Sequence, residues 1–530
     1  MSAGGSLLAL VFALCGAGAA AGLTVPDRRA PLLLAWVGSL AALALACASG
    51  SVLVSGEPLE GRLWTIAPLG SLSIAIDRLS ALFLLAAALV MLASSIFSAG
   101  YLERYLGHYS LRTFTAWYLL LFASIVLILI AADALLFLLA WEAMSILSYL
   151  LVNFEHRRGE TSRAAYLMLA MGEAGFVAVA VAFVVLAAQG GSLDFAALRR
   201  SGEELGPLSR WIVFLLTFFG FGVKAGLVPV NTWLPRAHPV APANVSAVLS
   251  AAILNLGVYG IVRFNFDVLR VGSAEAGIVV LVIGSVSALV GILYATTSND
   301  LKTLLAHSSI ENVGIVTACL GAALVFATAG RHALAAMALV TALYHMVNHS
   351  TYKALLFLGA GSIDARAGTR DLNRLGGLIH GMPRTAAAFL VGSLAISALP
   401  PLNGFVSEWL TLQTMLRSAE LASIEAKIIF ALCGAALALT AALAVTCFVK
   451  AFAMGFLGMP RSEGAAKASE APRSSFAALV LLAVLCLALG VLPTYVIGVL
   501  DGVVAPMSGA RAAEALVPPF FAGAAGHEGL

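Results

Sequence analysis

Charged side chains are scarce in this sequence. Asp, Glu, Lys and Arg make up 11% of the 530 residues, whereas soluble domains carry about 25%. Hydrophobic residues make up 61%. The net charge of +3 is too small to indicate nucleic-acid binding, and no other feature of the sequence does so. This composition excludes a soluble domain and indicates an integral membrane protein.

The sequence also lacks paired cysteine motifs. Its six cysteines stand singly in apolar segments, with no Cys-x-x-Cys pair and no haem-attachment or iron–sulfur spacing. They are Cys15, Cys47, Cys319, Cys433, Cys447 and Cys486. We expect them to be small core hydrophobes. We therefore expect the chain to bind no cofactor or metal and to hold no redox centre of its own.

Long apolar runs recur along the chain, and each reaches the roughly 20 residues that a helix needs to cross a bilayer. A β-barrel would instead alternate polar and apolar residues in segments of about 10. The sequence therefore predicts an all-α polytopic membrane protein with about 14 spans, whose first span is retained and not cleaved as a signal peptide. We number the spans 1 to 14, and they begin near Ser6, Ala30, Leu79, Phe114, Ala134, Ala164, Trp211, Val240, Ala274, Leu301, His332, Arg384, Lys427 and Phe476.

The loops predict the orientation of the chain. Lys and Arg are more frequent in the loops that follow odd-numbered spans than in those that follow even-numbered spans. Because cytoplasmic loops carry the excess of basic residues, both termini should face away from the cytoplasm. The segment "MPRSEGAAKASEAPRS" is a polar connector, and we expect no separate soluble domain within residues 1–530.

Ionisable residues inside the spans are the main functional signal, because each costs free energy in hydrocarbon unless it is paired or hydrated. His345, His349 and Lys353 follow each other at steps of four in "ALYHMVNHSTYKALLFL". On a helix they drift by about 40° per step and cover about 12 Å of one face. Imidazoles titrate near neutral pH, so this ladder is suited to passing protons. Alternatively, the histidines join helices by hydrogen bonds and the lysine snorkels.

Two predicted spans are interrupted beside a charge. Pro229 follows Lys224 in span 7, and Pro400 and Pro401 precede Glu408 in span 12. Proline breaks the helical hydrogen-bond ladder, and interrupted helices at corresponding places indicate an internal repeat and a transport site. The alternative is an ordinary kink. The predicted organisation has peripheral helices over about 1–110, repeats over 111–265 (spans 4 to 8) and 274–458 (spans 9 to 13), and span 14 over 474–500.

Glu142 stands in span 5 with no basic residue on its own helix, so a cationic partner is expected, and Lys224 is the natural candidate. Otherwise Glu142 only pins two helices together. Three further residues are secondary candidates. For Glu173 we favour a structural role, in which it snorkels or contacts a neighbouring helix. Lys450 lies near a span end and could anchor the helix at the membrane interface. His307 is a possible relay residue, and its role is left open.

Five segments carry a family resemblance, and they occur in family order over about residues 70–500. The segments are "WEAMSILSYLL", "GVKAGLVPVNTWLPRAHPVAPANVSAVLS", "DLKTLLAHSSIENVGIV", "YHMVNHSTYKALLFLGAGSI" and "ALPPLNGFVSEWL". The chain resembles the antiporter-like, proton-translocating membrane subunits of respiratory complex I, of multisubunit cation/proton antiporters and of membrane-bound hydrogenases. Within that family it is most similar to the hydrogenase-4 component B and formate hydrogenlyase subunit 3 branch.

The resemblance implies a 14-helix bundle with two inverted five-helix repeats, broken helices 7 and 12, and a line of buried charges. It assigns the proton pathway to Glu142, Lys224, His345, His349, Lys353 and Glu408. Many relatives carry a titratable residue in helix 8, where this chain offers Asn255, which cannot hold a proton. The link there would need water or Glu173. Residues 501–530 after span 14 predict no helix of the kind that forms the long lateral helix of some complex I subunits.

Three functions remain open at this stage. The first is an ion-translocating subunit of an oxidoreductase complex in the bacterial inner membrane, whose partner subunits hold iron–sulfur clusters or a nickel–iron site. The second is a subunit of a multisubunit cation/proton antiporter that moves protons or Na⁺. The third is a structural membrane scaffold whose charges only hold helices together.

Overall fold

The computed structural model describes residues 3–66 and 70–516. Within these ranges, twelve helices are long and apolar enough to cross a membrane. The predicted all-α, multi-pass architecture is therefore confirmed, while the full count of 14 spans stays a prediction. The twelve helices correspond to spans 1 to 10, 13 and 14, and they are Gly4–Thr24, Ala30–Ser55, Arg78–Tyr105, Leu111–Ile130, Ala134–Glu155, Gly159–Gly190, Pro207–Ala225, Ala243–Val268, Ala274–Thr297, Leu301–Thr328, Ile424–Phe456 and Arg473–Val491.

Predicted spans 11 and 12 have a different form. Span 11 is a 36-residue helix, His332–Ala367, which contains the whole ladder. Span 12 consists of two shorter helices, Pro383–Ile396 and Asn403–Leu416. Pro400 and Pro401 lie in the gap between them, so the interruption falls where the prolines predict it.

Several elements were not expected from the sequence. The strands Leu59–Ile66 and Gly70–Ile76 form an antiparallel hairpin between spans 2 and 3. Short helices join or follow the spans, at Phe195–Glu204, Leu234–Val240, Leu378–Gly381, Glu463–Ala466 and Pro493–Ser508. A search for long apolar runs misses such elements because they are short or amphipathic.

The chain divides into two compact units. One unit comprises the residues up to Gly226 with Val230–Val245 and Ala252–Val271. The other comprises Leu227–Pro229, Ser246–Ala251 and the residues from Gly272 onward. We call them the first and the second unit, and each contains a group of buried ionisable side chains. The inverted repeats implied by the resemblance stay a prediction.

An aromatic cluster forms the core of the first unit. The ring of Phe137 lies 5.4 Å from that of Trp141, and Phe221 lies 5.5 Å from Trp141 and 5.3 Å from Phe264, centroid to centroid. These rings come from spans 5, 7 and 8, and such pairs add about 0.5–1.5 kcal/mol each beyond their buried area. The cluster thereby fixes the turn of span 7 that precedes Lys224.

A buried arginine near the end of span 8 forms ion pairs that link it to the start of span 3. Arg263 donates to both carboxylate oxygens of Asp77, at 2.6 and 2.7 Å, and to Asp267 at 2.9 Å. Asp77 also caps span 3 by accepting from the Ser80 amide at 2.8 Å. Partial burial raises the pKa of Asp77, but the guanidinium charge and these hydrogen bonds outweigh it and hold the pKa at about 2.

Glycines bring spans 9 and 10 of the second unit into backbone contact. A Cβ atom at Gly284 would collide with the backbone of Ala318, and one at Gly314 would collide with the backbone of Ala288. Small residues allow this close approach between helices in a membrane. In the most hydrophobic stretch of span 10, 94% of the residues are buried, whereas the corresponding share for span 13 is 28%. Span 10 is therefore surrounded by other parts of the protein along most of its length.

Candidate functional site

Lys224 lies in the last turn of the helix of span 7, which ends at Ala225. Gly226 follows in the left-handed conformation, with φ of +79°, and the chain becomes helical again at Leu234. The indole nitrogen of Trp233 donates to the Val223 carbonyl oxygen at 2.9 Å, which satisfies an acceptor freed by the break. The predicted unwinding close to the lysine is observed.

Lys224 is buried, and 7% of its surface is exposed. Its ammonium nitrogen lies 6.0 Å from the centroid of the Trp141 ring, within cation–π range. Its charge interacts with the carboxylates of Glu173 and Glu142. In the part of the chain that the structure describes, neither carboxylate comes within the 4.0 Å of a direct salt bridge with Lys224.

Glu142 and Glu173 are both half-buried, and their charges interact with each other as well as with Lys224. Glu142 Oε2 and Glu173 Oε1 find no hydrogen-bond partner among the described residues. The expected approach of Glu142 to Lys224 is thus indirect, and Glu173 also acts on the lysine. Nothing in the sequence indicated that Glu173 faces Lys224, so its rank among the candidates stays a prediction.

The ladder of span 11 lies wholly inside the second unit. His345, His349 and Lys353 are 0%, 1% and 0% exposed. The ammonium of Lys353 donates to the Leu305 carbonyl oxygen at 3.0 Å and to Ser308 Oγ. Both acceptors belong to span 10. Lys353 therefore points into the protein and does not snorkel toward a membrane surface.

His345 is held between spans 10 and 12. Its Nε2 lies 3.1 Å from Asn312 Oδ1, and its Nδ1 lies 3.0 Å from Ser407 Oγ. Asn312 Nδ2 donates to the Ser308 carbonyl oxygen at 2.7 Å, so the amide oxygen must face the imidazole. That oxygen can only accept, and Nε2 therefore carries a hydrogen. Nδ1 is left as the atom that gains or loses a proton.

Glu311 of span 10 is a buried carboxylate that sequence reasoning missed. Its side chain is 1% exposed, and its charge interacts with Lys353 and with Glu408. Glu311 stands inside the quoted segment "HSSIENVGI", so the signal was a glutamate within a predicted span. The structure thereby adds an acidic partner to the buried lysine.

Glu408 is 8% exposed and follows Ser407 on the second helix of span 12. Asn403, the first residue of that helix, fixes it to span 11. Its side chain donates to Asn348 Oδ1 at 3.1 Å and to Thr351 Oγ1 at 3.0 Å. The second helix of span 12 therefore places Ser407 within hydrogen-bond distance of His345. Glu408 of the same helix interacts electrostatically with Glu311.

The secondary candidates fall into different environments. Asn255 is buried in a short α-helical stretch, Leu254–Ile261, between two π-helical stretches of span 8. His307 stacks on Tyr294 with ring centroids 5.3 Å apart. Lys450 donates to the carbonyl oxygens of Thr296 and Ser298, at 2.9 Å each. Lys450 thus caps the C-terminal end of span 9, which is a structural role.

Comparison with known families gives a match over more than half of the chain. Residues 131–437 match the model described as NADH:quinone oxidoreductase/Mrp antiporter, TM. This range contains Glu142, Lys224, Glu311, Lys353 and Glu408.

Two curated relatives from Escherichia coli (strain K12) are similar over most of the chain. Hydrogenase-4 component B is 41% identical over 419 residues, which cover 78% of this chain and 62% of the relative. Formate hydrogenlyase subunit 3 is 34% identical over 469 residues, which cover 88% of this chain and 74% of the relative. The chain therefore matches less than two thirds of the length of hydrogenase-4 component B.

A solved structure shares the fold. A chain of the Mrp complex from Dietzia sp. DQ12-45-1b superposes with a TM-score of 0.81 at 20% identity, over 96% of this chain and 98% of that chain. At this identity the likeness concerns the arrangement of the helices.

Proposed function

Because the chain belongs to the NADH:quinone oxidoreductase/Mrp antiporter family of membrane subunits, we propose that it translocates protons within a redox-driven membrane complex of the hydrogenase or complex I type. It is an antiporter-like, multi-pass membrane subunit with buried charged residues. The proposal concerns the ion that moves, the groups that carry it and the reaction that drives it.

The arrangement around Lys353 is the observation that carries the proposal. A fully buried ammonium has a buried carboxylate, Glu311, as its electrostatic partner, and a second carboxylate, Glu408, acts on the first. A proton that moves between two such acids and one base leaves the total charge of the three groups unchanged. Burial of this kind costs free energy, so charges in membrane helices usually serve transport.

His345 gives the second unit a defined proton acceptor. Its Nε2 hydrogen is engaged by Asn312, so a proton arriving from span 12 would bind at Nδ1, which faces Ser407 Oγ. The serine hydroxyl can accept and donate. We propose that His345 exchanges a proton at Nδ1 through this hydroxyl, with Lys353, Glu311 and Glu408 adjusting the local charge.

The first unit offers a matching group with one base and two acids. If Lys224, Glu142 and Glu173 were all ionised, the group would carry one net negative charge. Binding one proton makes it neutral, so the group is suited to loading and releasing a single proton. We propose that Glu173 serves beside Glu142 and Lys224 in this role, because its charge acts on both of them.

We propose that partner subunits carry the electron-transfer centres, as iron–sulfur clusters or a nickel–iron site. Both relatives are named as a component or subunit, which supports an assembly. We also propose a bacterial cytoplasmic membrane location with both termini on the non-cytoplasmic side, which follows from the basic loops after odd-numbered spans.

A cation/proton antiporter subunit is the second candidate. The family model that matches residues 131–437 favours it, since its description includes the Mrp antiporter. In that case an ion gradient drives proton movement, the transported cation is Na⁺ or a similar ion, and no redox partner is needed. A structural scaffold is the third candidate.

The test uses the complex that copurifies with this chain, reconstituted in liposomes that contain a pH-sensitive dye. We expect acidification or alkalinisation to require a redox substrate and to be lost in Lys224→Met and Lys353→Met. The control is Lys467→Met, because that lysine is exposed on a loop. Proton movement driven by a Na⁺ gradient without redox turnover would favour the antiporter, and unchanged movement in both buried variants would favour the scaffold.

A further inference from the structure

The second unit carries a surface groove that is lined by none of the buried ionisable residues described above. The groove has a volume of about 530 Å³ and lies between the first helix of span 12 and span 14. Its walls include Ala388, Val391, Val480 and Val484, and they are almost entirely apolar. Arg384 is the one charged residue among the side chains that line it.

One end of the groove is lined by Arg384, whose guanidinium group forms no ion pair with a carboxylate of the described residues. Arg384 is exposed, and its guanidinium carbon lies 5.7 Å from the centroid of the Phe476 ring, which also lines the groove. The ion pairs within residues 3–66 and 70–516 do not include Arg384. Glu470 is nearby, but its carboxylate accepts hydrogen bonds from the amides of Arg384 and Thr385 at the helix start.

The length of the groove matches one leaflet of a bilayer. Its lining residues on span 14 run from Phe476 to Leu487, which is about 16 Å of helix. Half of the hydrocarbon core is about 15 Å. A tail that starts at the level of Arg384 would therefore end near the midplane.

We propose that this groove binds one anionic phospholipid, with its phosphate on Arg384 and one acyl chain along Val480, Val484 and Leu487. Guanidinium and phosphate match in charge and in bidentate geometry. Arg473, exposed at the first position of span 14, adds positive charge at the same end. The basic loops predict that this end faces the cytoplasm, where basic pockets between membrane helices bind anionic headgroups.

The experiment measures phospholipid retained by the purified complex. Complexes are extracted from membranes that contain phosphatidylethanolamine and phosphatidylglycerol, washed in mild detergent and analysed by native mass spectrometry. Arg384→Gln removes the headgroup contact, and Val484→Trp fills the tail groove at a side chain that is 58% exposed. We expect each variant to retain about tenfold less phosphatidylglycerol.

Matched controls separate the site from general effects. Arg374→Gln removes an exposed charge elsewhere in the same unit, and Val449→Trp adds the same bulk at a lipid-facing position of span 13 that is 59% exposed. Both should retain wild-type amounts of lipid, and all variants should elute as intact complex. Equal retention in Arg384→Gln and wild type, retention of phosphatidylethanolamine alone, or a cross-link from position 484 to a partner subunit would each overturn the proposal.

Discussion

The amide oxygen of Asn312 lies 3.1 Å from Nε2 of His345 and also accepts from the Tyr352 hydroxyl at 2.5 Å. Asn312→Leu removes this acceptor. We expect slower proton translocation and a shifted pH profile, because the imidazole is no longer held with its hydrogen on Nε2. We also expect a loss of about 1–3 kcal/mol of stability from the unpaired groups.

The measurement is the translocation rate of the reconstituted complex across pH, together with its thermal unfolding. The exposed Asn373 provides the control, and Asn373→Leu should leave both unchanged. A variant at Asn312 that unfolds earlier but keeps the wild-type pH profile would show that Asn312 only supports packing.

Glu311 and Lys353 should be coupled in a double-mutant cycle. Glu311 and Lys353 interact electrostatically without a direct salt bridge among the described residues. Either Glu311→Gln or Lys353→Met removes this interaction and leaves buried polar groups less well paired, which costs about 1–3 kcal/mol. Removing both should cost less than the sum of the two by about 0.5–3 kcal/mol. The measurement is denaturant or thermal unfolding of the purified protein in detergent, and strictly additive losses would show that the two charges do not interact.

Glu173 should matter for translocation, as Glu142 does. Glu173→Gln and Glu142→Gln each remove one carboxylate from the surroundings of Lys224, and both charges act on the lysine. We expect each to lower the initial rate of proton movement by about tenfold or more. Glu160→Gln, at an exposed position of the same helix as Glu173, is the control. A normal rate in Glu173→Gln, with a lowered rate in Glu142→Gln, would show that Glu173 has only a structural role.

Spans 9 and 10 should not tolerate a side chain at their contact. Gly284→Val places its Cβ against the backbone of Ala318, so the helices must separate. We expect a loss of about 2 kcal/mol or more in thermal unfolding and slower translocation, because span 10 carries Glu311 and Asn312. Gly16→Ala is the control, since no atom lies within 4 Å of a Cβ at that helical position. Equal stability of the two variants would contradict the close packing.

The Asp77–Arg263 pair predicts an acid-dependent stability. The pKa of Asp77 is about 2 against an ordinary value of 3.8. Its contribution is therefore complete above pH 3.8 and is lost as the pH falls through 2. Asp77→Asn keeps an acceptor for the helix cap, removes the charge and replaces one of the two oxygens that accept from Arg263. The melting temperatures of variant and wild type should differ near neutral pH and converge as the pH falls from about 4 to 2. A difference that stays constant down to pH 2 would exclude the charge as its cause.

Much of the candidate site could be predicted from local sequence. The four-residue spacing of His345, His349 and Lys353 places them on one helix face whatever surrounds the helix. The helix breaks near Lys224 and before Glu408 follow from proline and glycine, which act on their own stretch of backbone. Hydrophobic length alone gave the helical membrane architecture. Each of these features depends on residues that are close in the chain.

The tertiary structure decided which side chains meet. Glu311 interacts electrostatically with Lys353, Asn312 contacts His345, Glu173 acts on Lys224 beside Glu142, and Lys450 caps a neighbouring span. These relationships depend on how each helix is rotated about its axis and how closely it approaches the next. Rotation and distance are set by contacts between distant residues, such as Gly284 with Ala318, and a one-dimensional pattern of hydrophobicity does not encode them.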